Sequence, residues 1–383
     1  MGNPVSCKTF EQGCDASVSQ VLEQGLVIGI VGPLPPPAGG MATQTRQLVD
    51  LLSDEVLEVH IVQTNAPYTP QWIERYRGLR AIFRLVPYLF KVWALAGKVN
   101  VIHLMANSGW SWQLFSAPVI WIAWARKTPV IVNYRGGEAP QYFSRAISRV
   151  RPTLNRAVKI IVPSHYLEKV FAEYGFHSEV IPNIVNLERF KWMPGTRDKP
   201  DGRFTLIVTR NLEAIYGLPT AIKALALAAV EVPNIQLCIA GTGPEQVPLQ
   251  SLCRDLAVAD KVHFVGRLGP GEIEKFYQSA DVMLNPTTVD NMPNSILEAL
   301  ASGVPVISTD VGGVPYIVEH EKTALLVPVN NAEEMARQII RLYNDHEMRE
   351  KLILSGLEEV TQYGWSKVKP RWLSTYSAVQ FKP

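Results

Sequence analysis

Short apolar runs alternate along the chain with longer segments of helical period. Runs of this length predict buried strands, because a parallel sheet is covered by helices on both faces. Strand and helix signals that alternate in this way predict an α/β fold. The predicted strands are residues 26–31, 56–64, 101–105, 129–133, 159–163, 204–209, 235–240, 262–265, 282–285 and 304–307.

A polar segment rich in Gly and Pro, residues 191–203, interrupts this alternation and predicts a linker between two domains. We expect a flexible leader over residues 1–24, an N-terminal Rossmann-like domain over 25–195 and a C-terminal Rossmann-like domain over 196–364. The final segment, residues 365–383, is expected to form a helix that crosses back to the N-terminal domain. Ligands should bind at the carboxyl ends of the strands, hence in a cleft between two facing domains.

A basic and aromatic segment, residues 71–100, predicts an amphipathic helix that Pro87 should kink or split. Its basic residues recur every seven positions and so lie near one helical face: Arg77, Arg84, Lys91 and Lys98. Aromatic and aliphatic side chains accompany them, and a helix of this kind can lie on an anionic membrane surface. The alternative is a solvated face on an ordinary core helix.

The composition of the 383 residues is that of a globular protein with large cores, because 47% are hydrophobic and 19% are charged. A net charge of +2 gives no reason to expect nucleic acid as a partner. The four cysteines lack the spacing of a zinc site, so we expect no metal and a reducing, cytoplasmic compartment. We expect no signal peptide and no membrane span, but the basic helix leaves open peripheral contact with the inner face of the plasma membrane.

Residues 285–303 carry the candidate chemistry, because they place two carboxylates around a helix start. Asn291 suits a cap and Pro293 suits the first helical position, so Asp290 lies in the loop and Glu298 about two turns into the helix. Backbone N–H groups at a helix start bind phosphate, and a carboxylate accepts hydroxyl groups. This combination predicts a sugar-nucleotide site; the alternative is a turn followed by the polar face of a helix.

Three strand ends in the N-terminal half carry further candidates. Gly39 and Gly40 follow the first predicted strand and let a ligand approach the backbone, although a plain loop explains them equally well. His103 lies near the end of a strand, where ligands bind in open sheets, but a core histidine is the alternative. Arg135 lies beside two glycines at a strand end and suits an anionic group.

With these residues in view, the chain resembles the retaining family 4 glycosyltransferases (glycosyl transferases group 1) of the GT-B fold, over roughly residues 26–380. The Gly39-Gly40 loop is similar to the glycine turn of that family's N-terminal domain. The other matching motifs are Pro163-Ser164, Ile181-Pro182-Asn183, Arg210, Ala240–Pro244, Val265–Arg267, Asp290 with Glu298, Ala299–Gly303, Pro305 and Asp310–Pro315.

The resemblance implies an N-terminal acceptor domain and a C-terminal donor domain. Glu298 would bind the ribose hydroxyls of the donor, Asp290 its sugar hydroxyls, and Arg210 the departing diphosphate. The donor-binding positions that it implies are Gly241, Gly243, Arg267, Leu268, Met292, Pro293, Asn294, Ser295 and Glu298. The acceptor or phosphate loops would contain Gly39, Gly40, His103 and Arg135. The reaction would retain the anomeric configuration and need no metal or other cofactor besides the donor substrate.

The sequence departs from the family pattern at three positions. Asp290 stands where the family usually has Glu, so its carboxylate is one methylene shorter. Tyr216 stands before Gly217, where a phosphate-binding Lys is usual. Arg135 replaces the usual His, which leaves a cation in the N-terminal domain instead.

The leading hypothesis is therefore transfer of a sugar from a nucleotide-diphosphate sugar to a hydroxyl of a glycan or lipid-linked acceptor. An anionic membrane surface is a further expected partner. One alternative is a catalytically weak protein that binds nucleotide sugars, which the missing Lys and His would favour. A same-fold nucleotide-sugar epimerase is the other alternative, although no acid–base residue can be placed for it.

Overall fold

The computed structural model describes residues 25–37, 39–55, 57–68, 75, 77–194 and 202–380, with the backbone alone at 77–82 and 380. The expected leader over residues 1–24 lies outside this part of the chain, as do residues 195–201 of the expected linker.

The chain divides into two compact units. Unit 1 comprises the chain up to Ile184 together with the segment from Trp365 onward, and unit 2 comprises Val185–Gly364. The division therefore falls after Ile184, earlier than the expected boundary between residues 195 and 196. Each unit contains a six-stranded parallel sheet with helices, which confirms the predicted α/β class.

In unit 1 the sheet order is β2-β1-β3-β4-β5-β6. Its strands are β1 Val27–Gly32, β2 Glu58–Gln63, β3 Val101–Ala106, β4 Val130–Tyr134, β5 Lys159–Val162 and β6 Glu179–Val180. Its helices are α1 Gly40–Asp54, α2 Arg77–Ala96, α3 Ala117–Ala125, α4 Ala139–Leu154, α5 His165–Glu173 and the C-terminal α12 Trp365–Gln380. A helical turn, Gly109–Ser111, and a π-helical turn, Trp112–Ser116, precede α3.

In unit 2 the sheet order is β12-β11-β10-β7-β8-β9. Its strands are β7 Phe204–Thr209, β8 Ile235–Ala240, β9 Val262–Gly266, β10 Val282–Asn285, β11 Val306–Thr309 and β12 Leu325–Val327. Its helices are α6 Leu218–Ala228, α7 Gln246–Asp255, α8 Glu272–Gln278, α9 Asn294–Ala301, α10 Ala332–Asn344 and α11 His346–Val360. Short 3₁₀ turns occur at Ala214–Tyr216, Val314–Tyr316 and Thr361–Tyr363.

The strand order in each unit reverses direction at one point. In unit 1 the chain proceeds from β1 outward to β2 and then returns to β3, so β1 and β3 are neighbours. In unit 2 the equivalent neighbours are β7 and β10. Loops that leave two such strands diverge to opposite faces of the sheet, which opens a crevice at the carboxyl ends of the strands. The structure thus provides one crevice of this type in each unit.

The C-terminal helix α12 packs into unit 1 and covers a buried histidine. Trp372 and Tyr376 lie in the same apolar cluster as residues of β1 and α1. The His103 ring lies 4.7 Å from the Trp372 ring, and its Nδ1 lies 2.7 Å from the Tyr376 hydroxyl. Asn133 Nδ2 donates to His103 Nε2 at 2.9 Å, so the neutral ring carries its proton on Nδ1 and donates it to Tyr376.

His103 is therefore packed as a core histidine within β3, which is the alternative interpretation, and its role in an acceptor or phosphate site stays a prediction. The side chain has no exposed surface, and both ring nitrogens are already bonded. Burial, followed by the nearby charge of Arg135, lowers the pKa of His103 to about 3. Because folding keeps the ring neutral, its contribution to stability is complete above about pH 6.5 and is lost as the pH falls toward 3.

Helix α2 runs without interruption through Pro87, so the helix is not split there. Pro87 lies on the exposed face, where water can hydrogen-bond the carbonyl that loses its N–H partner. The helix ends at Ala96, which leaves Lys98 beyond it. The expected row of four basic residues is thus not carried by one helix.

We expect Tyr376→Phe to lower the free energy of unfolding of unit 1 by about 1–3 kcal/mol, because His103 Nδ1–H loses its acceptor inside the core. Thermal and urea denaturation measure the change. Tyr343→Phe is the matched control, since this half-buried tyrosine packs edge-on against Phe204 at 5.3 Å in unit 2. Equal stability of Tyr376→Phe and the wild type would show that the bond to His103 contributes nothing.

Candidate active site

The crevice of unit 2 contains a buried arginine at the end of β7. Strands β7 and β10 are paired with Leu206 opposite Val282 and Ile207 opposite Met283. This register brings Thr209, the last residue of β7, level with Asn285, the last residue of β10, so Arg210 follows directly beside the end of β10. The register thus places a cation where two diverging loops leave the sheet.

Arg210 holds the two loops together through a forked set of hydrogen bonds. Its Nε and Nη2 donate to Asn285 Oδ1 at 3.1 and 2.8 Å. Nη2 also donates to Asp290 Oδ2 at 2.5 Å, in an ion pair whose side chains are only 12% and 13% exposed. Asn285 in turn donates from Nδ2 to Ser308 Oγ at 2.9 Å. Nη1 of Arg210 takes no part in these bonds, so two N–H donors remain on the guanidinium.

The loop that carries Asp290 is held by close backbone contacts on two sides. Thr288 N donates to Ile215 O at 2.8 Å, which ties the loop to the 3₁₀ turn before α6. Gly312 adopts a φ of +57°, and a Cβ at this position would lie 2.0 Å from the Asp290 carbonyl oxygen. Gly313 N donates to that same oxygen at 3.1 Å. The glycine pair is therefore required because another backbone passes directly against it.

Helix α9 begins one residue later than expected. Pro293 is the capping residue, and the first helical residue is Asn294. The helix ends in a Schellman motif, since Val304 N donates to Ala299 O and Gly303 N donates to Leu300 O. Gly303 has a φ of +64°, which confirms the predicted left-handed position.

The first turn of α9 and the residue before its cap have little exposed side-chain surface. Met292, Pro293 and Ser295 are buried, and Asn294 is half-buried. Any ligand at this helix start would therefore meet backbone N–H groups. Ser295 Oγ is buried and has no hydrogen-bond partner among the described residues. Its hydroxyl could serve a ligand at the same helix end.

Glu298 is half-buried and is positioned by a tyrosine from α8. Tyr277 donates from its hydroxyl to Glu298 Oε2 at 2.9 Å, and the same hydroxyl lies 2.8 Å from Thr209 Oγ1 at the end of β7. Burial raises the pKa of Glu298, although the Tyr277 hydrogen bond and the charges of Arg189 and Arg210 oppose this. One carboxylate oxygen is thus fixed, and the carboxylate is held in a region where its charge is unfavourable.

Tyr216 occupies the position of the missing lysine and contacts Arg210. Its ring centroid lies 5.2 Å from the guanidinium carbon of Arg210, within range of a cation–π interaction. Burial raises the pKa of Tyr216, so the hydroxyl is neutral. The substitution therefore removes one cation from the crevice and supports the remaining one.

The expected base-binding loops follow β8 and β9. Gly241 has a φ of +153°, and a Cβ there would lie 2.0 Å from the Arg210 carbonyl oxygen. A Cβ at Gly243 would lie 2.3 Å from Leu212 O, so neither position accepts another residue without movement. Arg267 is exposed and Leu268 is half-exposed. Their contact with a nucleotide base stays a prediction.

The remaining candidates belong to unit 1. Gly39 caps α1 and Gly40 is its first residue, and a Cβ built on Gly39 meets no atom within 4 Å. The space beside this loop is therefore open to a ligand. Arg135 is half-buried and donates from Nε to Asn133 Oδ1 at 3.1 Å and from Nη1 to Asn183 Oδ1. Burial lowers the pKa of Arg135 to about 10, so it stays charged at neutral pH.

The structure thus joins Arg210 directly to Asp290, and it links Glu298 to the end of β7 through Tyr277. Asn285, Tyr277 and Thr209 were not identified from the sequence as supporting residues. Asn285 could have been found, because a polar residue that ends an otherwise apolar strand is typical of a site. Tyr277 lies in a short helix whose pattern contains no signal for this contact.

Two family sequence profiles match the chain. Glycosyltransferase Family 4 matches residues 38–189, and glycosyl transferases group 1 matches residues 192–358. An uncharacterized glycosyltransferase of Methanocaldococcus jannaschii is 31% identical over 49% of this chain and 47% of its own length. A phosphatidyl-myo-inositol mannosyltransferase of Mycolicibacterium smegmatis is 24% identical over 89% of this chain and 90% of its own. The alignment thus spans about half the length of the first relative.

Two solved structures share the fold. Anabaena HepE in complex with UDP aligns with a TM-score of 0.72 and 18% identity, over 92% of this chain and 100% of its own. A sucrose-phosphate synthase of Thermosynechococcus elongatus aligns with a TM-score of 0.74 and 21% identity, over 92% and 98%. The likeness confirms the GT-B fold with two Rossmann-like domains.

We expect Gly312→Ala to weaken nucleotide-sugar binding about tenfold or more, because the new Cβ displaces the Asp290 backbone. Gly271→Ala is the matched control: its φ is +84°, but a Cβ there meets no atom within 4 Å. Both variants carry the strain of a left-handed alanine, and only the first disturbs the site. Calorimetric titration with UDP- and GDP-sugars measures the difference. Equal affinities in the two variants would contradict it.

We expect Glu298→Gln to raise the melting temperature at neutral pH while weakening donor binding about 10- to 100-fold. The raised pKa means that ionised Glu298 destabilises the folded state, increasingly as the pH rises through the folded-state pKa. The gain should therefore shrink in acid, where the wild-type carboxyl is protonated. Thermal denaturation as a function of pH, beside calorimetry, checks both effects. A lower melting temperature at neutral pH would show that the carboxylate is well paired.

Proposed function

Because the chain belongs to the family 4 glycosyltransferases (glycosyl transferases group 1), we propose that it moves a sugar from a nucleotide-diphosphate sugar to an acceptor hydroxyl with retention of configuration. The acceptor is the hydroxyl of a glycan or of a lipid-linked molecule. The observation that carries the proposal is the buried Arg210, held by Asn285 and Asp290 at the crevice of unit 2.

Glu298 is the proposed ligand of the donor ribose. Tyr277 fixes its Oε2, so Oε1 can accept hydroxyl hydrogens in a defined direction. A carboxylate whose charge is unfavourable in its protein surroundings gains most from new hydroxyl donors. The raised pKa of Glu298 therefore supports ribose binding at this position.

Arg210 is the proposed partner of the leaving diphosphate. Its Nη1 donors remain after the bonds to Asn285 and Asp290 are made. The start of α9 adds backbone N–H groups, the positive end of the helix dipole and the Ser295 hydroxyl. A positioned cation of this kind stabilises negative charge that develops as the sugar–phosphate bond breaks. Metal independence is part of the proposal, and no three His, Cys, Asp or Glu side chains in the described ranges converge to bind one.

Asp290 is proposed to hold hydroxyls of the transferred sugar. Its Oδ2 accepts from Arg210 and its Oδ1 accepts from Asn291 N at 2.7 Å. A carboxylate has about four acceptor positions, so each oxygen can still take a sugar hydroxyl. The bond to Arg210 also fixes this shorter side chain against the residue that binds the diphosphate. The aspartate thus couples sugar position to leaving-group position.

The similar proteins suggest two classes of donor base. HepE was solved with UDP-glucose, whereas mycobacterial mannosyltransferases related to this chain are named as GDP-mannose-dependent. Both classes therefore belong in an activity screen. The named acceptors of those relatives are phosphatidylinositol derivatives, which supports a lipid-linked acceptor and a site of action at a cytoplasmic membrane surface.

We expect Arg210→Ala to lower kcat about 100- to 1000-fold, because removing one preorganised group that stabilises developing negative charge has an effect of this size in other enzymes. Arg210→Lys should recover only part of this loss, because an ammonium cannot bond Asn285, Asp290 and phosphate in one plane. The assay follows sugar transfer or donor hydrolysis with a panel of UDP- and GDP-sugars, and proton NMR of the product reports its anomeric configuration.

Arg337→Ala is the control for the loss of one positive charge, since this arginine is 69% exposed in unit 2. Wild-type kcat in Arg210→Ala would refute the assignment of the leaving-group role. An inverted product would refute retention. Tight donor binding without turnover on any acceptor would favour a binding protein, the second candidate that Tyr216 in place of lysine supports.

A further inference from the structure

Helix α2 presents an apolar stripe to solvent although its opposite face is already buried. Tyr88, Val92 and Leu95 lie in the core of unit 1. On the outer side, Phe90 is 71% exposed and Trp93 is 48% exposed. The full exposed stripe consists of Phe83, Val86, Phe90 and Trp93. Spacings of three and four residues place these side chains on one face. An ordinary solvated helix would carry polar residues there.

Helix α3 extends this apolar face with a pair of tryptophans. Trp121 and Trp124 are 39% and 58% exposed, and their rings meet edge to face at 5.9 Å. The Arg156 guanidinium lies 3.7 Å from the Trp121 ring centroid, and the Arg126 guanidinium lies 5.0 Å from that of Trp93. The aromatic side chains therefore border directly on cations. We call the six residues 83, 86, 90, 93, 121 and 124 the α2–α3 surface.

An open groove of about 330 Å³ lies in the α2–α3 surface. It is lined by Val86, Leu89, Phe90, Trp93 and Ile122, and its walls are almost wholly apolar. Such a groove offers no hydrogen bond to a polar ligand. Its shape and chemistry fit a hydrocarbon chain, whose burial is favourable for each methylene removed from water.

The charge of the chain segment that carries the α2–α3 surface is strongly one-sided. Residues 75–159 contain fourteen Lys and Arg and a single acidic residue, Glu138. The rest of the chain contains 23 basic and 34 acidic residues. The net charge of +2 thus hides a concentration of positive charge in one part of unit 1. Anionic lipid head groups attract such a cluster, whereas a second copy of the chain would bring the same positive charge against itself.

We propose that the α2–α3 surface docks on an anionic phospholipid bilayer and that its groove takes one hydrocarbon chain. Aromatic rings at the boundary between chains and head groups and cations beside the phosphates are the arrangement that membrane-surface helices use. Within the described residues, none of the helices combines the length and apolar character that a membrane crossing requires. Only the lipid-linked acceptor rests on the proposed function. Docking itself rests on the residues of the α2–α3 surface, which would reach the lipid.

Vesicle flotation tests the electrostatic half of this inference. We expect binding to vesicles of equal parts phosphatidylcholine and phosphatidylglycerol and little binding to pure phosphatidylcholine. Lys91→Gln/Lys127→Gln should lower the partition coefficient roughly 30-fold, because each cation near the surface contributes a factor of about five. Lys322→Gln/Lys351→Gln in unit 2 removes the same charge and should leave binding unchanged. Equal binding of wild type to both kinds of vesicle would overturn the electrostatic part.

Phe90→Glu tests the apolar half, with Leu354→Glu on α11 as the control at 54% exposure. The first variant should lose vesicle binding about tenfold or more, and the second should not. Titration with UDP and GDP shows that both variants keep a folded donor unit. If Phe90→Glu instead converts a dimer to a monomer in light scattering while vesicle binding persists, the surface binds a second copy and the inference is wrong.

Brominated lipids test occupation of the groove. Phosphatidylglycerol with bromine on its acyl chains should quench tryptophan fluorescence on binding. Trp93→Phe/Trp121→Phe/Trp124→Phe should abolish most of that quenching while it retains flotation. Quenching that persists in the triple variant would place the lipid elsewhere.

Docking without turnover of any nucleotide sugar would refute the proposed function alone, and turnover in a protein that never binds vesicles would refute the docking alone.

Discussion

The crevice of unit 2 depends on one buried cation. Arg210 is almost fully removed from water, and a buried guanidinium is costly unless hydrogen-bond acceptors surround it. Asn285 and Asp290 supply these acceptors, and the parallel register of β7 and β10 brings them within reach. The glycine pair at Gly312 and Gly313 then holds the backbone that carries Asp290. The site geometry is thus a consequence of satisfying a single charge.

Unit 1 also surrounds a half-buried arginine with hydrogen-bond acceptors, but it does not form an equivalent site. Arg135 donates hydrogen bonds to the amide oxygens of Asn133 and Asn183. Asn133 in turn donates a hydrogen bond from Nδ2 to His103 Nε2. The chain of bonds ends at Tyr376 on the C-terminal helix. Arg135 is held by neutral amides, so its positive charge is not cancelled by a carboxylate as that of Arg210 is. The charge of Arg135 therefore stays available to attract an anionic group.

Ten of the twelve strands in the described residues and the charged residues of the unit 2 crevice were predictable from sequence, whereas β6, β12, two helices and the supporting contacts were not. Long apolar runs marked β7 and β10, and motif order marked Arg210, Asp290 and Glu298. Helix α4 and helix α11 were not predicted, because α4 contains an internal proline and α11 buries few residues: Leu352, Gly356 and Val360. The contacts of His103 and Tyr277 join segments distant in sequence, and periodicity within one segment cannot report them.

The charge balance of the crevice explains why a tyrosine can replace a lysine there. Asp290 already neutralises Arg210, and an ionised Glu298 would make the net charge of the crevice negative. A diphosphate placed there would meet little net positive charge, so its stabilisation would depend on the direction of the Arg210 Nη1 donors, beside the N–H groups and the dipole of α9. A flat ring at Tyr216 holds the guanidinium plane in place without adding charge. The sequence around Arg210 therefore maintains the orientation of its guanidinium rather than the number of cations in the crevice.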